Sequence, residues 1–412
     1  MSLSGIYNTL TIRDFRFLLS SNSIHVIGEV ATFVAQGWLV LSLTGDSALW
    51  VGVASGIRGI GHIGFALIGG VLADRLKRRD VLAILAFFRA GIFAVLALLI
   101  FTDEIQLWHV MVIVFIQGSS DGLMAPLFNG LIYDTVGLTR LMNALAYILA
   151  AFHISWATGS IVAGHLINTM GIGSAYVLAS IFCLLSVIPL RLMQVSNVTE
   201  AKEEPIVSNI VQGIRYVSRN KSLRALLSLS MLTEAFGFSY LIMLPVIAKT
   251  VLVVGPTGLG YLIAAGGMGS LIGTIVVAGI SDFKDKWKVL TIATSSAGVG
   301  ILLFACSPWY ALSLILVAFI GLSLVTYDAA INTLIQTLSA DNMRGRVLGL
   351  YGMTWGFTPA GGFVAGSVAS VIGAPFAVGF GSLIILGYTL GVIARMNKER
   401  LYDSTKPDSH GW

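Results

Sequence analysis

The sequence predicts an all-α integral membrane protein with twelve transmembrane helices in two pseudo-symmetric six-helix halves. Three observations carry that expectation. Of the 412 residues, 56% are hydrophobic and only 11% are charged, whereas an average soluble domain carries about a quarter charged residues. Continuous apolar runs recur twelve times along the chain, each long enough to cross a hydrocarbon core, which takes roughly 20 helical residues. A repeat relates the two halves at an offset of 208, residue 52 falling on residue 260.

The first six runs cover about 15 to 43, 48 to 74, 81 to 101, 108 to 134, 144 to 169 and 174 to 194. The second six cover about 223 to 248, 257 to 281, 288 to 306, 309 to 336, 345 to 372 and 374 to 396. Each run is continuously apolar, whereas membrane strands would alternate in segments of about ten residues, so helices are expected and a barrel is not. Connections of a few residues leave no room for a soluble domain. The organisation is thus a first half at 1–197, a central cytoplasmic loop at 198–222, a second half at 223–396 and a cytoplasmic tail at 397–412. Arg13, Asp14 and Arg16 lead directly into a full-length first span, so no cleavable signal peptide is expected.

Charge sets the expected orientation. With both termini in the cytoplasm, all of the 25 Lys and Arg fall in cytoplasmic segments except Lys249, which lies outside, and Arg58 and Arg89, which lie within spans. That bias follows the positive-inside rule. The net charge of +5 follows from the same bias and from attraction to anionic membrane lipids, leaving little support for a nucleic-acid partner. Cys183 and Cys306 both fall in spans, which argues against a disulfide or a metal site.

The repeat places Gly52, Gly59, Gly61, Asp74, Val81 and Leu82 on Gly260, Gly267, Gly269, Asp282, Val289 and Leu290. Near an offset of 202, "GSIVAG" at 159 to 164 meets "GGFVAG" at 361 to 366. Two like halves with an even number of spans keep the same orientation, which makes the repeat a parallel one.

The loop "GGVLADRLKRRDVL" at 69 to 82 resembles the G-x-x-x-D-R-x-G-R-R signature of the major facilitator superfamily. Gly70, Asp74, Arg75, Arg78 and Arg79 match it, and Lys77 stands where the pattern has its second glycine. The segments "APLFNGLIYDTVGLTRLMNALAY" (125 to 147), "FFRAG" in span three and "NMRGRVLGLY" (342 to 351) resemble the bacterial branch that includes macrolide and siderophore exporters. The superfamily resemblance covers essentially the whole chain. It implies a conformational latch: Asp74 would face span eleven across the interface between halves, steadied by Arg75 and Arg78. An acid beside a helix N-terminus is favourable by up to about 1 kcal/mol. The alternative is that these charges only anchor helix ends at the lipid surface. Asp282 has Phe283 in place of the arginine, so a weaker second latch is expected there.

Ionisable residues inside a bilayer are costly and are functional candidates by default. Glu29, Asp121, Glu234 and Asp328 qualify. His25, Glu29, Thr32 and Gln36 follow helical spacing on span one and should form a polar stripe lining a central cavity. Gln117 precedes Asp121 by one turn, while Asn332 and Gln336 follow Asp328. Glu234 and Asp328 lie close to the repeat equivalents of Glu29 and Asp121, so both halves offer acid to a shared midline. The resemblance implies that spans one, four, seven and ten line the cavity. Desolvated carboxyl groups can exchange protons near neutral pH, and a carboxylate that binds either a proton or a cation supports antiport. Glu29 is the expected coupling group, with the other acids as supports or counter-charges. Arg58, one turn from His62, either joins the binding features or forms a buried salt bridge with Glu29 or Asp121. Arg89 is expected to be structural or to snorkel, and His153 and His165 to be packing residues.

Pro359 should bend span eleven, and the small residues around it in "FTPAGGFVAGSV" loosely resemble the Gly-Pro motif that exporters of the superfamily carry on span five. The leading expectation is a proton-coupled exporter of an amphipathic small molecule by alternating access. It would be a monomer in the bacterial cytoplasmic membrane, with no cofactor and the proton gradient as energy source. The alternatives are uptake or facilitated transport of a metabolite without proton coupling, and a non-transporting membrane sensor of the same fold. No phosphate-binding loop, nucleophile cluster or metal-ligand spacing emerges, so an enzyme is not expected.

Overall fold

The structure, a computed structural model, describes residues 9–194, 206–279 and 285–404. Among them, eleven helices are long and apolar enough to cross a membrane. One of these, Leu107–Met170, is 64 residues long and loses helical geometry at Gly137, where φ is 67°. It holds spans four and five, so the expected twelve passes are present. The sequence suggested a loop between these two spans. Instead "LTRLMNALAY", rich in helix-forming residues, keeps the chain helical on either side of the single glycine that supplies the left-handed turn.

Helix boundaries follow local chemistry. Span one (Arg13–Thr44) ends where Gly45 turns left-handed and returns its N–H to the Leu41 carbonyl, a glycine stop. Span two (Ala48–Arg75) passes to span three (Arg78–Phe101) through Leu76 and Lys77, both extended. Span six (Ile172–Leu192) starts at Gly171 (φ 84°), and span twelve (Ala374–Ser404) starts at Gly373 (φ 89°). These two turns sit at equivalent repeat positions, so the duplication extends to connections where only glycine is unstrained.

Two spans are discontinuous. Span seven runs as a helix to Leu232, widens into a π-turn over Thr233–Gly237 and resumes at Ser239–Thr250. Span eleven is split into Arg344–Thr354 and Phe357–Ile372. The expected bend is there, displaced from Pro359 towards Trp355, because a proline ring clashes with the carbonyl four residues before it. The breaks lie against each other: a Cβ on Gly361 would stand 1.7 Å from the Ala235 carbonyl.

Within each half the same crossing recurs. Span two packs on span four so closely that a Cβ on Gly118 would stand 2.0 Å from the Arg58 carbonyl. Span eight (Pro256–Gly279) packs on span ten (Tyr310–Leu338) in the same way, with Gly269 facing the Ala318 carbonyl at 1.8 Å. Between the halves, Gly52 of span two meets Gly366 of span eleven, and Gly260 of span eight meets Gly164 of span five. Small residues let the backbones approach this closely. Large apolar side chains such as Phe87, Leu98, Val371 and Phe376 point outward, as a lipid-facing surface requires.

These contacts between halves lie at the end of the bundle opposite the basic loops that carry Arg78, Arg79, Arg191 and Arg344. Towards the basic end nothing stands within 4 Å of a Cβ built on Gly70, Gly345 or Gly349. Among the described residues, the glycine contacts between the halves therefore close one end, and the other is parted at these three glycines. The central connection, expected as a loop, contains the helix Ile206–Arg219. It rests on the second half, where Val217 is buried and the Ala340 N–H donates to the Tyr216 hydroxyl at 3.2 Å.

Candidate transport site

The intramembrane charges of the first half gather into one cluster. The Arg58 guanidinium donates through Nη2 to Glu29 Oε1 (2.8 Å), and through Nη2 and Nε to Asp121 Oδ2 (2.7 and 3.1 Å). Arg89 donates through Nη1 to the other carboxylate oxygen of Asp121, at 2.7 Å. His25 Nε2 stands 3.8 Å from Glu29 Oε2. Two carboxylates and two guanidinium groups balance, so the cluster is neutral when all four are ionised. Arg58 thus makes the salt bridge that sequence reasoning allowed, and it joins both acids rather than one. Arg89 does not snorkel. It is 1% exposed and lies 5.6 Å from the Phe93 ring, because its side chain points inward to Asp121 rather than out towards the lipid.

The polar stripe of span one is used mainly inside its own half. Thr32 is fully buried and accepts a hydrogen bond from Gln117 Nε2 at 2.8 Å, tying span one to span four. Of the predicted stripe only His25, Glu29 and Gln36 keep partial exposure. His153 is buried beside the Phe152 ring, in keeping with a packing role, whereas His165 is exposed. Both cysteines are free thiols, with Cys183 buried and Cys306 exposed.

The second half differs. Glu234, within the π-turn, is 4% exposed. Its Oε2 accepts from the Thr358 hydroxyl at 2.5 Å, across the break in span eleven. Asp328 on span ten accepts from the Tyr351 hydroxyl at 3.1 Å. No ion pair to a Lys, Arg or His forms with either carboxylate among the described residues. Ser230 and Thr354 share a hydrogen bond of 2.6 Å beside them. Asn332 accepts from Gln336 Nε2 at 2.5 Å, one turn along span ten from Asp328. The site thus pairs a charge-balanced half with a half holding two acids whose partners among the described residues are hydroxyl groups.

At the basic end, Arg78 donates to Asp134 (2.7 Å) and to the Ala73 carbonyl (2.9 Å), and Arg79 donates to the Met193 carbonyl at 2.6 Å. These bonds fasten the loop between spans two and three to spans four and six of its own half. Asp74 and Arg75 are exposed, and Asp74 makes no contact with span eleven among the described residues. Gly70 has open space beside it. The contact of Asp74 with span eleven that a latch would require is therefore not formed among the described residues. Asp282, the expected second latch, lies outside the described residues.

A family model described as transmembrane secretion effector matches residues 4–410. The chain belongs to that family. It is a family of major facilitator exporters rather than enzymes, as the resemblance of the loop at 69 to 82 implied. The chain is 27% identical over 362 residues to the multidrug efflux pump Tap of Mycolicibacterium fortuitum, covering 84% of this chain and 87% of the pump. It is 26% identical over 346 residues to the enterobactin exporter EntS of Shigella flexneri, covering 81% of this chain and 80% of the exporter. Among solved structures, the nucleoside transporter NupG superposes with a TM-score of 0.71 at 16% identity, covering 93% of this chain and 99% of that one. A bacterial homolog of the human lysosomal transporter Spinster superposes with a TM-score of 0.68 at 11% identity, covering 96% of each chain. These two establish the fold, and the protein is an integral membrane transporter.

Several side chains of the site were not singled out from sequence. Tyr351, Thr354 and Thr358 complete the acid site of the second half, and Asp134 holds Arg78. The three hydroxyl residues all fall within eight residues before Pro359 in span eleven, which is the signal that was available. Asp134 gave a similar one, as an acid at the end of span four.

Proposed function

We propose that this transporter exports an amphipathic small molecule across the bacterial cytoplasmic membrane in exchange for protons, by alternating access of its two halves. One observation carries the reading: Glu234, in the π-turn of span seven, and Asp328, on span ten, take hydroxyl partners from the broken span eleven and no cationic one among the described residues. An acid in so poorly solvated a place either binds a proton or meets a cationic group, and one displaces the other. Discontinuous helices at mid-membrane are a recurrent setting for substrate and ion sites, and single π-turns often mark functional positions. Glu29 was the expected coupling group, but Arg58 engages it. The coupling role therefore falls to Glu234, with Asp328 in support, and the neutral cluster of the first half is the scaffold against which they work.

The names of Tap and EntS support export. The positive-inside bias favours cytoplasmic termini, which makes the parted end the cytoplasmic one and the present state inward-facing. In that state Asp74 is released, and it would meet span eleven only when the halves close at the cytoplasmic end.

The test uses proteoliposomes with an imposed pH gradient and three probes, the cationic dye ethidium, erythromycin and a catecholate siderophore. Gradient-driven movement of at least one probe is expected, and it should be lost in Glu234→Gln while Glu29→Gln keeps its gradient dependence. Gradient-driven transport persisting unchanged in Glu234→Gln and in Asp328→Asn would remove both acids from the coupling. Movement down a substrate gradient with no response to pH would replace antiport by facilitated transport.

A further inference from the structure

At the closed end, one electrostatic contact joins the two halves. Lys249, in the last turn of span seven, makes an ion pair with Asp46 in the turn between spans one and two. Its ammonium also lies 5.5 Å from the centre of the Trp38 ring on span one. We propose that Lys249, Asp46 and Trp38 form a lock that holds this end shut and must open in every cycle, so that Lys249 is a positioning residue for alternating access. The inference concerns the conformational balance of the halves and does not depend on the substrate or on proton coupling.

The local structure is built to present this contact. Gly45 and Asp46 both adopt the left-handed conformation (φ 62° and 66°), and the Asp46 N–H is held by the Leu41 carbonyl at 2.9 Å. The carboxylate is thus fixed by a tight turn instead of riding on a mobile loop. Aspartate is among the few residues that accept this conformation readily. Trp38 lies on span one, about two turns before its end, so span one and the turn that closes it supply both the ring and the anion that flank the ammonium. Beneath the lock the backbones are already in contact, at Gly52 with Gly366, at Gly164 with Gly260, and where a Cβ on Gly37 would stand 2.5 Å from the Pro245 ring. The corresponding turn of the second half, "VLVVG" at 251 to 255, carries no charge. The lock is therefore single, and it breaks the symmetry of the repeat at the closed end.

Lys249 and Asp46 retain 27% and 43% side-chain exposure, so the pair is screened by water and salt. Losing an exposed pair together with a cation–π contact should raise the ratio of open to closed molecules by roughly three- to tenfold.

The experiment is a distance measurement by double electron–electron resonance on the full chain in lipid nanodiscs. Spin labels are placed at Leu49 and Val253, one on each half at the closed end, in a Cys306→Ser background. The wild type should show mainly the short distance at low salt and gain the long one as salt is raised. Asp46→Asn and Lys249→Gln should each populate the long distance at low salt, with little further response to salt. The double variant should move the balance no further than Lys249→Gln alone, because that change already removes both the ion pair and the contact with Trp38. Should Lys249→Gln fail to fold, Lys249→Met removes the charge while keeping the apolar stem over Trp38. Neutralised variants with the wild-type distribution at low salt, or effects that multiply in the double variant, would overturn the lock.

Discussion

Replacing Asp121 by asparagine is the sharpest test of how the first half holds its charges. Asp121 accepts two hydrogen bonds from Arg58 and one from Arg89. Arg89 is 1% exposed, and among the described residues its further hydrogen-bond partner is the Met124 sulfur, at 3.6 Å. Asparagine keeps one acceptor and the shape but deletes the counter-charge, leaving a buried guanidinium uncompensated, a change that costs about 3–5 kcal/mol. Glu29→Gln should cost far less, about 1 kcal/mol, since Arg58 keeps Asp121 and both members of the Glu29–Arg58 pair are about a fifth exposed (22% and 21%). The assay is reversible unfolding of the purified protein in mixed micelles titrated with dodecyl sulfate. Asp121→Asn combined with Arg89→Met removes both charges and should recover most of the loss, because replacing a buried ion pair by apolar groups is often neutral. If Asp121→Asn were no more harmful than Glu29→Gln, or the double variant no more stable than the single, the cluster would not be a buried, mutually compensating one.

Two further outcomes follow from packing and orientation. Gly361→Ala places a methyl group 1.7 Å from the Ala235 carbonyl, so it should push span eleven off the π-turn, lower stability by about 1–3 kcal/mol and slow transport. Gly387→Ala, with open space around it, should leave both unchanged, and equal behaviour of the two would refute the contact. Cys306 is exposed beyond the end of span nine (Lys286–Ala305), while Cys183 is buried. A membrane-impermeant maleimide should therefore modify Cys306 in intact spheroplasts and leave Cys183 untouched until the protein unfolds. Labelling of Cys306 only in everted vesicles would reverse the orientation.

Hydropathy and the repeat were enough to place the spans, because lipid contact imposes apolar runs whatever a helix packs against. The equivalence of Gly52 with Gly260 was legible for a related reason, since a crossing between backbones tolerates nothing larger. The partners of the charges were less legible. Arg58 could be matched to Glu29 and Asp121 because all three fall in mid-span, but Arg89 lies nearer an end, and sequence does not say whether a long side chain turns to the lipid surface or inward. The break in span eleven was foreseen from Pro359. The π-turn of span seven was not, because "TEAFG" carries no proline and the widening is set by the Gly361 contact more than 100 residues away. Nor does any spacing rule join Asp46 to Lys249, which meet only because two halves fold and dock.

The neutral cluster of the first half has a consequence for how the protein is made. Glu29, Arg58, Arg89 and Asp121 all precede span five, and each finds its counter-ion among the others. A nascent chain that has delivered only its first four spans already contains every group needed to neutralise the charges it carries into the bilayer. The first half can therefore settle in the membrane while the second is still being translated. The acids of the second half find hydroxyl partners on span eleven, so that half matures only when synthesis is nearly over. The placement of the charges thus permits assembly from the N-terminal side, since the first half needs nothing from the second to balance them.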